Sequence, residues 1–178
     1  EKPRVFVELF AGKAGLSQSM RGKGFRVTPR SDLTPSYTKR SGFNLLDTNQ
    51  VIKLIKLVRG GKVWWLHAAP PCTTFSRARR AGKYGTTHQV RSEEEPWGIG
   101  PKAQWSKKVI EANALAQRTL RLVQAQHRAG RFFSVENPSS SALFSEHSGV
   151  RYVEMDQCCF GGTWVKPTSW LTNADWMS

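Results

Sequence analysis

An α/β fold with a mainly parallel sheet and helices on both faces is predicted by three features of this sequence. The chain opens on a β-rich apolar run that breaks into a glycine loop and then a helix. Short apolar runs then alternate with segments of helical period as far as Pro138. The closing segments read as a hairpin. Alternation of this kind favours parallel pairing, because a parallel strand needs a crossover, usually a helix.

Arg4-Val-Phe-Val-Glu-Leu-Phe10 is the first strand, Ala11-Gly-Lys-Ala-Gly15 the loop, and Leu16–Met20 the helix after it. Gly24–Thr28 reads as a second strand, closed near Asp32, and residues 33–42 as loop. Phe43–Asp47 reads as a brief strand ending in an acid. Asn49–Arg59 places Val51, Ile52, Leu54, Ile55, Leu57 and Val58 on a wide helical face, stopped by Gly60-Gly61. Val63–His67 is the next strand. Residues 73–101, rich in glycine, proline and charge, read as a long mobile loop, and loops of that length are commonly functional. Ala103–Arg128 is a long amphipathic helix ended by Gly130, and Arg131–Val135 a buried strand closed by Glu136-Asn-Pro138. Ser140–His147 reads as a short helix, and Val150–Cys159 with Trp164–Thr172 as two strands joined at Gly161-Gly162.

In such sheets ligands sit at the carboxyl ends of the strands. The segment from Glu8 to Gly15, Asp32, Asp47, Cys72 and Glu136 would all lie there. His67-Ala-Ala-Pro-Pro-Cys72 carries the sharpest signal. Proline fixes φ and cannot continue a ladder, so the chain leaves its strand and presents Cys72 on a stiff loop. A thiol held there is placed to attack a ligand; the plainer alternative is a loop with a buried thiol. Trp64 and Trp65, inside a strand, read as core.

The 178 residues suit one domain, 1–178, and 39% of them are hydrophobic, a globular composition. No apolar run approaches the ~20 residues of a membrane span, and no signal peptide is visible. Lysine and arginine number 27 against 13 acids, a formal net charge of +14. That excess favours a polyanionic partner, most often nucleic acid, over a basic surface that is merely solvated. The three cysteines, two of them adjacent, make a poor disulfide framework and point to a reducing, intracellular compartment. No ligand spacing supports a metal.

Three segments together resemble the cytosine-C5 methyltransferase family, and the resemblance runs from Val7 to Asn173. Val7-Glu-Leu-Phe-Ala-Gly-Lys-Ala-Gly-Leu-Ser17 is similar to its cofactor loop, Ala68-Ala-Pro-Pro-Cys-Thr-Thr-Phe-Ser76 to its nucleophile loop, and Val135-Glu-Asn-Pro138 to its catalytic glutamate motif. The resemblance implies a Rossmann-like class I methyltransferase fold and methyl transfer from S-adenosylmethionine to C5 of cytosine in DNA, with RNA the alternative substrate. It implies Cys72 as nucleophile, Glu136 as the group at N3, and Asn137 as its support. It implies a cofactor site built from Glu8, Phe10, Ala11, Gly12, Gly15, Leu16, Asp32, Asp47 and Pro70. Asp32 would meet the ribose, or is simply a turn residue. Asp47 would meet the adenine amine, cap the helix beginning near Thr48, or do both. Glu136 has a plain alternative as a helix cap before Pro138. Arg77, Arg79, Arg80 and Lys83 would clamp phosphates around an everted base, with Gln157 also on the nucleic-acid side. Trp97 and Trp105 are candidates for base contact.

The chain departs from the family in three places. Gln157-Cys-Cys-Phe160 keeps the glutamine of a Gln-x-Arg-x-Arg motif and lacks both arginines; Lys166 and Arg151 are the candidates for a replacement charge. Ala14 stands where a second glycine is usual. No target-recognition domain follows the hairpin, so recognition would come from other domains, from a specificity subunit, or from generic backbone contacts. The rival from another class is a catalytically silent nucleic-acid-binding or assembly protein that retains the fold.

Overall fold

A computed structural model describes residues 4–27, 44–76, 90–144, 150–160, 163 and 165–177. Its architecture is α/β, with one mixed six-stranded sheet and helices against both faces. The strands are β1 (Val5–Leu9), β2 (Arg26–Val27), β3 (Trp65–Ala68), β4 (Phe132–Pro138), β5 (Arg151–Asp156) and β6 (Pro167–Thr172). The helices are α1 (Gly15–Gly22), α2 (Thr48–Arg59) and α3 (Lys107–Arg128). The sheet order is β2-β1-β3-β4-β6-β5. β2, β1, β3 and β4 run parallel, while β6 is antiparallel to both β4 and β5. No described helix is long and apolar enough to cross a membrane.

Side-chain alternation divides the core between the two faces. Val7, Leu9, Leu66, Ala68, Phe133 and Val135 pack with Val51, Leu54 and Val58 of α2 and Leu115, Leu122 and Val123 of α3. Phe6 and Trp65 point the other way, onto Met20 of α1. Trp65 is buried and Trp64 half-buried, edge-on to Phe132, so both belong to the core as expected.

Several boundaries differ from the sequence reading, each for a physical reason. The expected strand 43–47 is a turn over its described residues Asn44–Asp47. Asn44 Oδ1 accepts from Leu46 N at 2.9 Å, a local bond that competes with strand pairing. β3 starts two residues later than expected and runs on to Ala68, in register with β1. The long helix begins at Lys107 because Ser106 caps it, its hydroxyl accepting from Val109 N; Lys102–Gln104 ahead of it is a 3₁₀ turn. β4 continues through Pro138 because β6 pairs Glu136 with Trp170 and Asn137 with Ser169. Glu136 therefore sits inside a strand and caps no helix. β5 and β6 pair antiparallel as expected, but β5 stops at Asp156, and Gln157–Phe160 is a 3₁₀ turn that leaves Cys158 and Cys159 exposed. Within the expected helix 140–147, Ala142–Phe144 is a 3₁₀ turn; residues 145–149 lie outside the described residues.

Candidate active site

The chain leaves β1 and β3 in opposite directions across the sheet, since β2 pairs on one side of β1 and β3 on the other. A crevice forms outside the carboxyl ends of strands at such a point. The turn after β1 stands at that point of the sheet. Phe10, Gly12 and Ala14 all have positive φ, at 61°, 48° and 55°, and Ala14 N donates to Ala11 O at 2.6 Å. Among the described residues, a side chain added at Gly12 or Gly15 would meet no atom within 4 Å, so they leave the space beside this turn open. Glu8 is buried, and its Oε2 accepts from Ser17 N at 2.8 Å. It thus caps α1, whose own N-cap, Ala14, has no side-chain acceptor to offer. Phe10 packs on the main core and Leu16 on the α1 cluster. Ala11 is buried.

Ala14 is strained in a way glycine is not. A left-handed conformation costs an L-residue about 1–2 kcal/mol, offset in part by the extra unfolded-state freedom of glycine. Ala14→Gly is therefore expected to stabilise the protein by about 0.5–1 kcal/mol in urea unfolding; a loss of stability would show that the turn does not hold this φ.

β3 and β4 carry the Pro-Pro-Cys and Glu-Asn-Pro motifs side by side, with Ala68 opposite Val135. Asn137 Nδ2 donates to Pro70 O at 3.0 Å and to Glu136 O at 2.9 Å, stapling the glutamate motif to the Pro-Pro-Cys loop. A second tie follows. Cys72 O accepts from Phe75 N and Ser76 N, closing a turn, and Ala142 N donates to Phe75 O at 3.1 Å beside a Ser76–Ser141 bridge. Pro70 is buried and Cys72, a free thiol, is half-buried. Glu136 Oε1 accepts from Lys166 Nζ and from Gln157 Nε2, both at 3.4 Å. Of the two candidates for a replacement charge, Lys166 reaches the glutamate, while Arg151 pairs with Asp175 at 3.7 Å. Gln157 meets the same carboxylate.

Arg91 was not singled out by sequence reasoning, and the structure gives it a central place. It is 3% exposed. Its guanidinium donates to Thr74 O (3.0 Å), Thr74 Oγ1 (2.9 Å), Pro96 O (2.8 Å) and Asn113 Oδ1 (2.8 Å). Its fork lies 3.8 Å over the ring of Phe75. Burial pushes it down to about 10, so it stays a cation at neutral pH. Arg91 joins the turn after Cys72 to α3. The expected loop 73–101 is accordingly anchored at both of its described ends. Trp97 stands edge-on to Phe75, and Trp105 Nε1 donates to Gly100 O at 3.0 Å while its ring covers Gly98.

Below the site, His67 is 3% exposed. Its Nδ1 lies 2.9 Å from Ser134 Oγ, which also accepts from Trp65 Nε1 at 3.0 Å, and Trp170 lies against the ring. Burial pushes His67 down to about 4 from an ordinary 6.5. The folded protein keeps the ring neutral where the unfolded chain would protonate it. The contribution of His67 to stability is therefore expected to be full above pH 6.5, to fall as pH drops from 6.5 towards 4, and to level off below. The loss is about 3 kcal/mol. Urea midpoints across that window should show this slope in the parent and a shallower one in His67→Gln; equal slopes would refute it.

Asp47 caps α2, accepting from Asn49 N at 2.8 Å and Gln50 N at 3.3 Å. These backbone donors, Gln50 first, hold its carboxyl below the usual range. Asp32, Arg77, Arg79, Arg80 and Lys83 lie outside the described residues. Among the described candidates, hydrogen bonds join Asn137 to Pro70 and Gln157 to Glu136, Cys72 stands two residues beyond Pro70, and the Glu8–Leu16 turn lies at the end of the strand next to β3. No family model and no curated protein matches the chain.

Proposed function

We propose that the chain is an S-adenosylmethionine-dependent methyltransferase acting on C5 of cytosine in DNA. The observation that carries this reading is the double tie between the Pro-Pro-Cys and Glu-Asn-Pro segments on adjacent parallel strands, next to an open glycine turn. The mostly parallel sheet with its antiparallel C-terminal pair is compatible with this reading.

The open space beside Gly12 and Gly15 fits a cofactor that must approach the backbone closely. Phe10, Ala11 and Pro70 would flank the cofactor there, with Asp47 further along. When bound, the cofactor supplies an electrophilic methyl group on a sulfonium sulfur. The Cys72 thiolate adds to C6 of the everted base, forming an S–C6 bond and pushing the ring electrons towards C5. Glu136 holds the N3 edge and shares a proton with it, which drains charge from the ring. Lys166 and Gln157 fix the carboxylate through Oε1, and Asn137 fixes the distance between its strand and the thiol loop. C5 takes the methyl group as the sulfonium C–S bond breaks to leave the neutral thioether, solvent water accepts the C5 proton, and the returning electron pair breaks the S–C6 bond to expel Cys72 as thiolate.

The test uses labelled cofactor and a DNA oligonucleotide containing 5-fluorocytosine, whose fluorine cannot leave as a proton does. The expected result is a covalent protein–DNA adduct that Cys72→Ser abolishes. Cofactor binding without any adduct would replace this reading with the silent nucleic-acid-binding one. An adduct formed on RNA alone would move the substrate class.

A further inference from the structure

A groove of about 390 Å³ opens between the last turns of α2 and α3, lined by Ile55, Arg59, Arg121, Gln124, Ala125 and Arg128. After these turns the chain enters β3 and β4 at their first residues. The groove therefore lies at the amino ends of the strands, away from Cys72 and the glycine turn. We propose that it is a second DNA contact, in which the three arginines grip the sugar-phosphate backbone.

All three arginines are exposed, and none of their side chains makes a hydrogen bond or ion pair with another described residue. The sequence contains no aspartate or glutamate from residue 48 to 92 or from 112 to 135, so nothing on α2 or on the last 17 residues of α3 neutralises them. Lys62 and Arg131 are exposed at the same end, Arg131 lying along Gly61. A helix dipole accounts for Arg59 and Arg128, which stand in the last turns of their helices. It does not account for Arg121, two turns before the end of α3, or for the missing acids. The lining cations are all arginine, whose planar fork matches phosphate oxygens in pairs. An acidic peptide is the weaker occupant, because peptide docking draws its energy from buried apolar anchors and the floor here is one isoleucine and small alanines.

The inference rests on the nucleic-acid reading above but needs neither cofactor nor methyl transfer. The experiment is fluorescence anisotropy of a labelled DNA duplex with the full chain over a series of salt concentrations. The variants are Arg59→Gln/Arg121→Gln/Arg128→Gln and, as a control of equal charge loss, Arg21→Gln/Lys23→Gln/Arg26→Gln on the α1–β2 side. The groove variant should bind at least about tenfold more weakly, with a slope of log affinity against log salt shallower by roughly 2–3. The control should change both much less, and the thermal midpoints of all three proteins should agree. Equal losses in groove variant and control would mean generic attraction and overturn the proposal. So would an unchanged groove variant, a parent that does not bind DNA, or groove-dependent binding confined to an RNA duplex or to polyglutamate. Failure of the 5-fluorocytosine adduct with the groove effect intact would remove the methyltransferase reading alone.

Discussion

Glu136→Gln is expected to slow methyl transfer by about 10²–10⁴-fold, the usual worth of a positioned general acid, while DNA affinity changes little. The substitution is a clean probe of the proton. Glutamine keeps the length of the side chain, and its carbonyl can still accept from Lys166 and Gln157 as Glu136 Oε1 does at 3.4 Å. The pairing of residue 136 with Trp170 uses backbone alone and is untouched. What is lost is the capacity to hand a proton to N3. Single-turnover rates with labelled cofactor measure the effect, and equilibrium binding on the same samples separates it from recognition. A rate within about threefold of the parent would mean that no proton passes through residue 136.

Arg91→Ala is expected to cost about 3–5 kcal/mol of stability. One guanidinium supplies the donors for Thr74 O, Thr74 Oγ1, Pro96 O and Asn113 Oδ1, and it covers Phe75. Truncation strands those acceptors in a buried place, at about 1–3 kcal/mol for each one that water fails to reach, and it opens a cavity beside Phe75. Arg91→Lys should recover little, since a single ammonium cannot span the same three segments. Urea unfolding measures both variants, and a loss below about 1 kcal/mol would show that the clamp is dispensable. Because Thr74 lies two residues beyond Cys72, formation of the covalent adduct should fall together with stability and return with conditions that restore folding.

The parts of the fold that were legible in the sequence are those written in local signals. Apolar runs, the helical face of Val51, Leu54 and Val58, and the breakers at Gly12, Gly15 and Pro70-Pro71 placed most strands and helices and the turns between them. What escaped depends on distant partners. Glu8 caps a helix through Ser17, nine residues on. Arg91 looks like one more cation in a polar stretch, and its partners lie 17 and 22 residues away. β4 outruns its apolar segment only because β6 is there to pair with Glu136, Asn137 and Pro138. The turn at Asn44–Asp47 was misjudged for the opposite reason: its apolar pair Leu45-Leu46 has the look of a strand, yet Asn44 and Asp47 spend their side chains on nearby backbone donors.

The two margins of the sheet are unequal. Among the described residues, β2 ends one side with two residues. β5 ends the other with six, and its outer row of backbone groups is a natural landing place for a stranger's strand. That row carries the exposed Arg151 and Glu154, charges of both signs that an incoming apolar segment would have to strip of water. Pairing through the β5 edge is therefore disfavoured, and replacing Glu154 with an apolar β-former is expected to raise self-association in sedimentation velocity.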